Sequence, residues 1–211
     1  MLNVGSNIKD IKMKKPYFII LSLIFITVAA GCKKDDIPSD KALLFEENFV
    51  GNYSWSIIGE IDSSIVEPGE AAGEINNDKL YLHASGCTEV NASLSFTYAE
   101  LTDEAYKNMT ITVDIDEFTA SPLISSSNTI DISFKNFYLS IKPKQDISDL
   151  LLVFNLNKNA MELVDQTDAI EYTYSASSSY DGCNINLKSQ SSADCIANAH
   201  LKVSSIKIYK K

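Results

Sequence analysis

TIDISFKNFYLSIK, residues 129–142, places an apolar or aromatic side chain at nearly every second position, with threonine, aspartate, serine and lysine between them. A period of two is the repeat of a β-strand that buries one face and wets the other. The same pattern extends outward in both directions. It recurs in MTITVDIDEF at 109–118, KLYLHA at 79–84, SWSII at 54–58 and LLFEENF at 43–49. Towards the C-terminus it continues in LLLVFNL at 150–156, MELVD at 161–165, IEYTYSA at 170–176 and LKVSSIKIY at 201–209. Between these runs lie Glu67-Pro68-Gly69, Asn76-Asn77-Asp78, Ser121-Pro122, Asn157-Lys158-Asn159 and Tyr180-Asp181-Gly182. Such residues tolerate the backbone angles of tight turns.

One segment, AELTDEAYKN at 99–108, reads as a short helix, with Thr102 ahead of Asp103 and Glu104 as its cap. Long helices do not alternate with the strands, so a parallel βαβ layout is excluded. The expected fold is all-β, an antiparallel sandwich of two sheets over residues 43–211. No repeat of solenoid or propeller period is present.

The N-terminal part follows a different plan. Lysines up to Lys14-Lys15 precede an apolar run from Tyr17 to Ala30, and Gly31-Cys32 follows. The run is shorter than the ~20 residues of a membrane-spanning helix, which favours a secretory signal over a span. Ala29-Ala30-Gly31-Cys32 resembles the lipobox of bacterial lipoproteins, departing from it at Ala29, where that family prefers leucine. The resemblance implies cleavage after residue 31, acylation (palmitate among the chains) of Cys32, and outer-membrane lipid as a partner. The following Lys33-Lys34-Asp35-Asp36 resembles the charged export tag of Bacteroidota-type surface lipoproteins. It implies a tether over residues 32–42 and display on the cell surface, with the periplasmic face as the alternative. Met13-Lys14-Lys15 would itself begin an ordinary signal peptide, so translation could start at Met1 or at Met13.

From Cys32 onward there are 14 basic and 27 acidic residues, a formal charge of −13, and every basic residue is a lysine. This surface repels phosphate backbones, so nucleic acid is not an expected partner. Without arginine there is no bidentate clamp for a carboxylate or phosphate. With Cys32 lipidated, Cys87, Cys183 and Cys195 remain, an odd number that permits one intramolecular disulfide. Cys183 and Cys195 bracket the polar stretch NINLKSQSSAD and are the favoured pair for stapling it as a loop, although spacing alone leaves the two pairings with Cys87 open. Zinc would need His83 with Cys87 or Cys195 with His200. Neither gives the doubled ligand pairs of a zinc site, so no metal site and no cofactor are expected.

The FEENF strand, the tryptophan strand with Tyr53 and Trp55, INNDKLYLHAS and the closing HLKVSSIKIYKK are similar in order and spacing to jelly-roll sandwiches. Concanavalin A-like lectins, glucanases and carbohydrate-binding jelly rolls share that layout. The resemblance implies a glycan- or envelope-protein-binding domain, with a divergent glycoside hydrolase or a structural subunit of an envelope assembly as alternatives.

For hydrolysis the sharpest candidate is Glu60-Ile61-Asp62, but position 64 on the same face is serine and Glu67 falls on the other parity. The carboxylate pair of a retaining glycosidase, about 5 Å apart, is therefore incomplete, and no catalytic residue is assigned. Asp114, Asp116 and Asp131 are oxygen donors for a structural calcium, without the spacing of a known loop. Only His83 and His200 could act as bases, and no nucleophile elbow accompanies them. For sugar stacking the expected residues are Tyr172, Tyr174 and Tyr180 beside a serine-rich loop, and Trp55, which reads first as core and second as a ligand platform.

Overall fold

The computed structural model describes residues 41–61, 69–96, 108–121, 126–134, 136–157, 160–178, 183–191 and 197–210. The signal segment, Cys32 and its charged tag, the helical reading up to residue 107, Asp62, Glu67, Tyr180 and Cys195 lie outside these residues.

Thirteen strands make up the regular structure of the described residues. They are β1 (Ala42–Glu47), β2 (Ser56–Ile61), β3 (Ala71–Ile75), β4 (Leu80–Ser85), β5 (Thr88–Phe96), β6 (Asn108–Ser121) and β7 (Ser126–Phe134). After them come β8 (Asn136–Pro143), β9 (Ile147–Asn157), β10 (Ala160–Leu163), β11 (Ile170–Ser178), β12 (Cys183–Ser191) and β13 (Asn198–Lys210). One sheet runs β10-β9-β6-β13-β4-β3, with β1 also paired to β13; the other runs β11-β8-β7-β12-β5-β2. All the pairings are antiparallel. The two-sheet antiparallel sandwich is the fold that the alternation predicts.

β13 organises the larger sheet. Along one edge it pairs with β6 for nearly its whole length, and along the other it meets β4 through Asn198–Val203 and β1 through Ile206–Lys210. Its inward residues Ala199, Leu201, Val203, Ile206 and Ile208 are buried among Phe45, Phe118, Phe134, Phe137 and Phe154. Burying each large side chain contributes about 1.5–3 kcal/mol, which is what holds the two faces together.

Three strands escape the sequence pattern. β3 is short and rich in alanine and glycine, β5 alternates inward Val90, Ala92 and Leu94 with polar outward residues, and β12 is the polar stretch expected to be a loop. β12 lies inside the smaller sheet, between β5 and β7, with strict alternation of buried and half-buried positions. Its inward set is Cys183, Ile185, Leu187, Ser189 and Ser191, so the last two buried positions are serines and the apolar signal fades. A different correction applies to 129–142, which is a hairpin of two strands. Its apolar positions are even up to Phe134 and odd from Phe137 onward, and Phe134 pairs with Phe137 across the turn.

The strand character of β12 also rules out the favoured disulfide. From Cys183 to Ser191 an extended strand covers about 26 Å. The next four residues can reach back only about 14 Å, too little to bring Cys183 and Cys195 within the ~7 Å that a disulfide allows. Cys183 is accordingly a buried thiol, and Cys87 is the disulfide-bonded cysteine.

Two close contacts fasten the sandwich. Gly73 brings β3 of one sheet against β2 of the other: a Cβ there would sit 2.5 Å from Ile57 Cγ2. Deeper in, Asn128 of β7 is fully buried, and its Nδ2 donates to the carbonyls of Thr119 (2.5 Å) and His200 (2.8 Å) in the opposite sheet. Its Oδ1 accepts from Ser189 Oγ at 2.6 Å.

Replacing Asn128 with alanine is expected to leave these buried groups unmatched and to cost about 2–4 kcal/mol in urea denaturation, with the slope unchanged. A loss no larger than that of an ordinary surface substitution would remove Asn128 from this role. The Cys87 turn is held from both sides of position 195, because Gly86 N donates to Ala197 O and Cys87 N to Ser191 Oγ. Non-reducing peptide mapping is therefore expected to recover Cys87 joined to Cys195 and Cys183 as an alkylatable thiol after unfolding.

Candidate functional site on the outer face of the larger sheet

The most functional-looking surface is built from the β3–β4 hairpin outward. Asn76 and Lys79 exchange backbone hydrogen bonds of 3.0 and 3.2 Å, and Asn77 and Asp78 between them have φ of 50° and 58°. This is a two-residue turn of the I′ kind, for which asparagine and aspartate are suited. It brings the Asn76 and Asn77 side chains to one end of the sheet. Alternation along β4 then sends Leu80, Leu82 and Ala84 inward and Tyr81 and His83 outward.

Register extends that outward set across four strands. One row runs Glu74–Tyr81–Lys202–Glu117 and the next runs Ala72–His83–His200–Thr119. Beyond Lys202 the β6–β13 ladder is irregular, and Asp116 is the extra residue between Glu117 and Ile115. Such a bulge re-aims a side chain. Asp116 accepts from Ser204 Oγ at 2.6 Å and is paired with the Lys79 ammonium.

Between the hairpin and these rows lies an open cleft of about 430 Å³, lined by Glu74, Asn76, Asn77, Lys79, Tyr81 and Lys202. The Tyr81 hydroxyl is hydrogen-bonded with His200 Nδ1 at 3.0 Å. Burial, together with the charges of Glu117, Glu70 and Glu74, pushes the Tyr81 phenol above its usual range, so it stays protonated. Burial and the neighbouring His83 hold His200 below the usual imidazole range, against the pull of Glu117. Amides, ammonium groups and a carboxylate around a half-buried aromatic ring can exchange many hydrogen bonds with a polyhydroxylated ligand.

The residues expected from sequence are dispersed. Tyr172 faces the sandwich interior from the edge strand β11, with its ring edge-on to Phe154 at 5.2 Å. It lines a second cleft of about 390 Å³ with Leu163, Gln166, Thr167 and Asp168. Tyr174, two residues on, is more exposed. Trp55 is structural: its Nε1 donates to the buried Glu47 carboxylate at 2.9 Å and its ring lies against Phe49. Glu60 sits exposed on edge strand β2, opposite Glu89 and outside both clefts.

The calcium donors do not converge. Asp116 is taken up by Lys79 and Ser204, whereas Asp131 belongs to the other sheet and accepts from the Tyr138 hydroxyl at 3.0 Å. Sequence reading missed Tyr81, Lys202 and the asparagine turn as a group. The outward positions of KLYLHA and HLKVSS were the available signal, but only the pairing of β4 with β13 joins them.

No family profile and no curated protein matches the chain. Among solved structures, the chain is similar to PfGH50B at 13% identity, covering 74% of this chain and 23% of that one, with a TM-score of 0.39. It is similar to a structure of botulinum neurotoxin type C, whose passage into cells depends on interaction with two ganglioside molecules (10% identity, 76% and 44% coverage, TM-score 0.42). A third is the CBM2 module of the evolved Dit of Lactobacillus casei BL23 phage J-1 (5% identity, 81% and 96% coverage, TM-score 0.41). The chain spans less than half the length of the first two.

The Lys79–Asp116 pair sets a pH dependence. Burial disfavours the Asp116 charge, but the hydrogen bonds from Lys79 and Ser204 outweigh it and leave the carboxyl below its ordinary 3.8. A depressed carboxyl stabilises the fold above its ordinary value and loses that contribution as pH falls through its lowered one. The melting temperatures of wild type and Asp116→Asn are thus expected to differ above about pH 4 and to converge in stronger acid. Parallel curves down to acid unfolding would show that the pair does not contribute.

Proposed function

We propose that this domain is a non-catalytic glycan-binding β-sandwich, and that the cleft around Tyr81 is its binding surface. The observation that carries this reading is the set of side chains in that cleft: Asn76, Asn77, Glu74, Lys79 and Lys202 around one aromatic ring, on a rigid sheet face. Ring hydroxyls of a sugar take hydrogen bonds from amides and ammonium groups and give them to carboxylates, while the aromatic ring accepts the apolar face of a pyranose. Among the described residues each cleft is lined by a single carboxylate, Glu74 in one and Asp168 in the other, where a glycoside hydrolase ordinarily uses two, and this supports binding over hydrolysis. The lipobox at Cys32 and the lysine-aspartate tag behind it support attachment to the outer membrane by acyl chains, with the sandwich displayed at the cell surface. A glycan there, rather than a protein of the envelope, is the partner that the polar lining of the cleft suits.

The protein is expected to retain neutral glycans on an array. Lys202→Ala and Asn76→Ala should each weaken retention about tenfold, the worth of one charged or well-placed hydrogen bond. Retention that survives both substitutions but falls with Gln166→Ala or Asp168→Ala would move the site to the β10–β11 cleft, and no retained glycan at all would overturn the reading.

A further inference from the structure

The sequence contains two histidines, His83 and His200, far apart in the chain, and β4 and β13 bring them directly opposite each other on the outer face. Their rings lie 4.3 Å apart and nearly parallel, at 7°. We propose that His83 and His200 together bind a divalent transition-metal ion of the imidazole-preferring class, zinc or copper(II), with Tyr81 and Glu70 as positioning residues.

Three features point this way. Residues directly opposed across an antiparallel pair have Cβ atoms about 5 Å apart, a separation from which two imidazoles reach one ion at about 2.0–2.1 Å. The Tyr81 hydroxyl is hydrogen-bonded with His200 Nδ1 at 3.0 Å, and the Glu70 carboxylate lies on the Nδ1 side of His83, 3.9 Å away, at ion-pair rather than hydrogen-bond distance. A hydroxyl or carboxylate on one ring nitrogen is the usual arrangement behind a ligating histidine, and it leaves Nε2 for the metal. The field is favourable, since Glu70, Glu74 and Glu117 all act on Tyr81 beside the pair, with Lys202 opposing them from the next row.

Among the described residues no group of three or more histidine, cysteine, aspartate or glutamate side chains is arranged around a common point. The site is therefore a two-imidazole one, its remaining positions filled by water or by oxygens of a bound ligand. Metal uptake has to turn the parallel rings so that their planes converge. That motion is about the Cβ–Cγ bond, a broad and soft torsion.

The test uses protein without a polyhistidine tag. Copper(II) titrated into the wild type should give, at one ion per chain, an electron paramagnetic resonance spectrum with superhyperfine splitting from two imidazole nitrogens. Calorimetric titration with zinc chloride should show one site that is abolished by His83→Gln and by His200→Gln. Tyr81→Phe and Glu70→Gln should each weaken it about tenfold, as loss of an orienting partner does. A wild-type copper spectrum with oxygen ligation alone would overturn the proposal without recourse to any variant. Zinc binding that is unchanged in both histidine variants would overturn it equally. Since Lys202→Ala and Asn76→Ala leave both histidines in place, loss of glycan retention in those variants with metal binding intact separates the two readings.

Discussion

A single buried amide fixes how the two sheets sit on each other. Apolar packing between the sheets is strong but non-directional, and on its own it would tolerate a slide of one sheet over the other. Asn128 removes that freedom. From the smaller sheet it donates to the carbonyls of Thr119 and His200, neighbours across the β6–β13 pair, while Ser189 satisfies its carbonyl oxygen. In a dry interior each of these groups would be costly if left unmatched, so the sandwich has one alignment that satisfies them all. The clamp lies beneath the row that carries His83, His200 and Thr119 on the outer face.

The outer surface is thus held from below by Asn128 and shaped from the sides by two local devices. The I′ turn at Asn77-Asp78 ends the β3–β4 hairpin tightly enough to present its asparagines beside Tyr81. The bulge at Asp116 brings a carboxylate to Lys79 and Ser204, tying the end of the hairpin to the middle of the sheet. An ion pair whose lysine is open to solvent contributes little stability. Its effect is positional, since it holds the Lys79 chain along one wall of the cleft. Further along β13, opposite Ile206, Glu47 does comparable work for the β1–β2 connection by accepting from the Phe49 amide at 2.5 Å and from Trp55.

These constraints explain why a chain with a strongly acidic surface can still offer a neutral, hydrogen-bonding recess. The carboxylates around Tyr81 are offset by Lys79 and Lys202, two of the 14 lysines from Cys32 onward. A lysine-only surface presents point charges without the planar fork of arginine, which suits hydroxyl-rich ligands better than carboxylates or phosphates. The same carboxylates lie near the histidine pair, where a small, hard-to-exclude cation is the natural counterpart of their field.

Alternation is a local property, and the sequence by itself therefore determined the strand character of most of the described residues and which of their faces is buried. The resemblance to a lipobox around Cys32 is likewise a linear pattern, read without the fold. Alternation failed where inward positions are polar for a tertiary reason. Ser189 and Ser191 are buried because they bond Asn128 and Ala197, so β12 looked like a loop, and the Cys183–Cys195 pairing fell with that reading. Tyr172 looks like an exposed aromatic in sequence, yet Phe154 claims it, whereas Trp55, which reads first as core, is held by Glu47. Only the tertiary structure decided which strands are neighbours, because pairing between β4 and β13 joins residues more than a hundred positions apart and no local pattern encodes that register. The cleft around Tyr81 and the facing histidines exist only through that pairing.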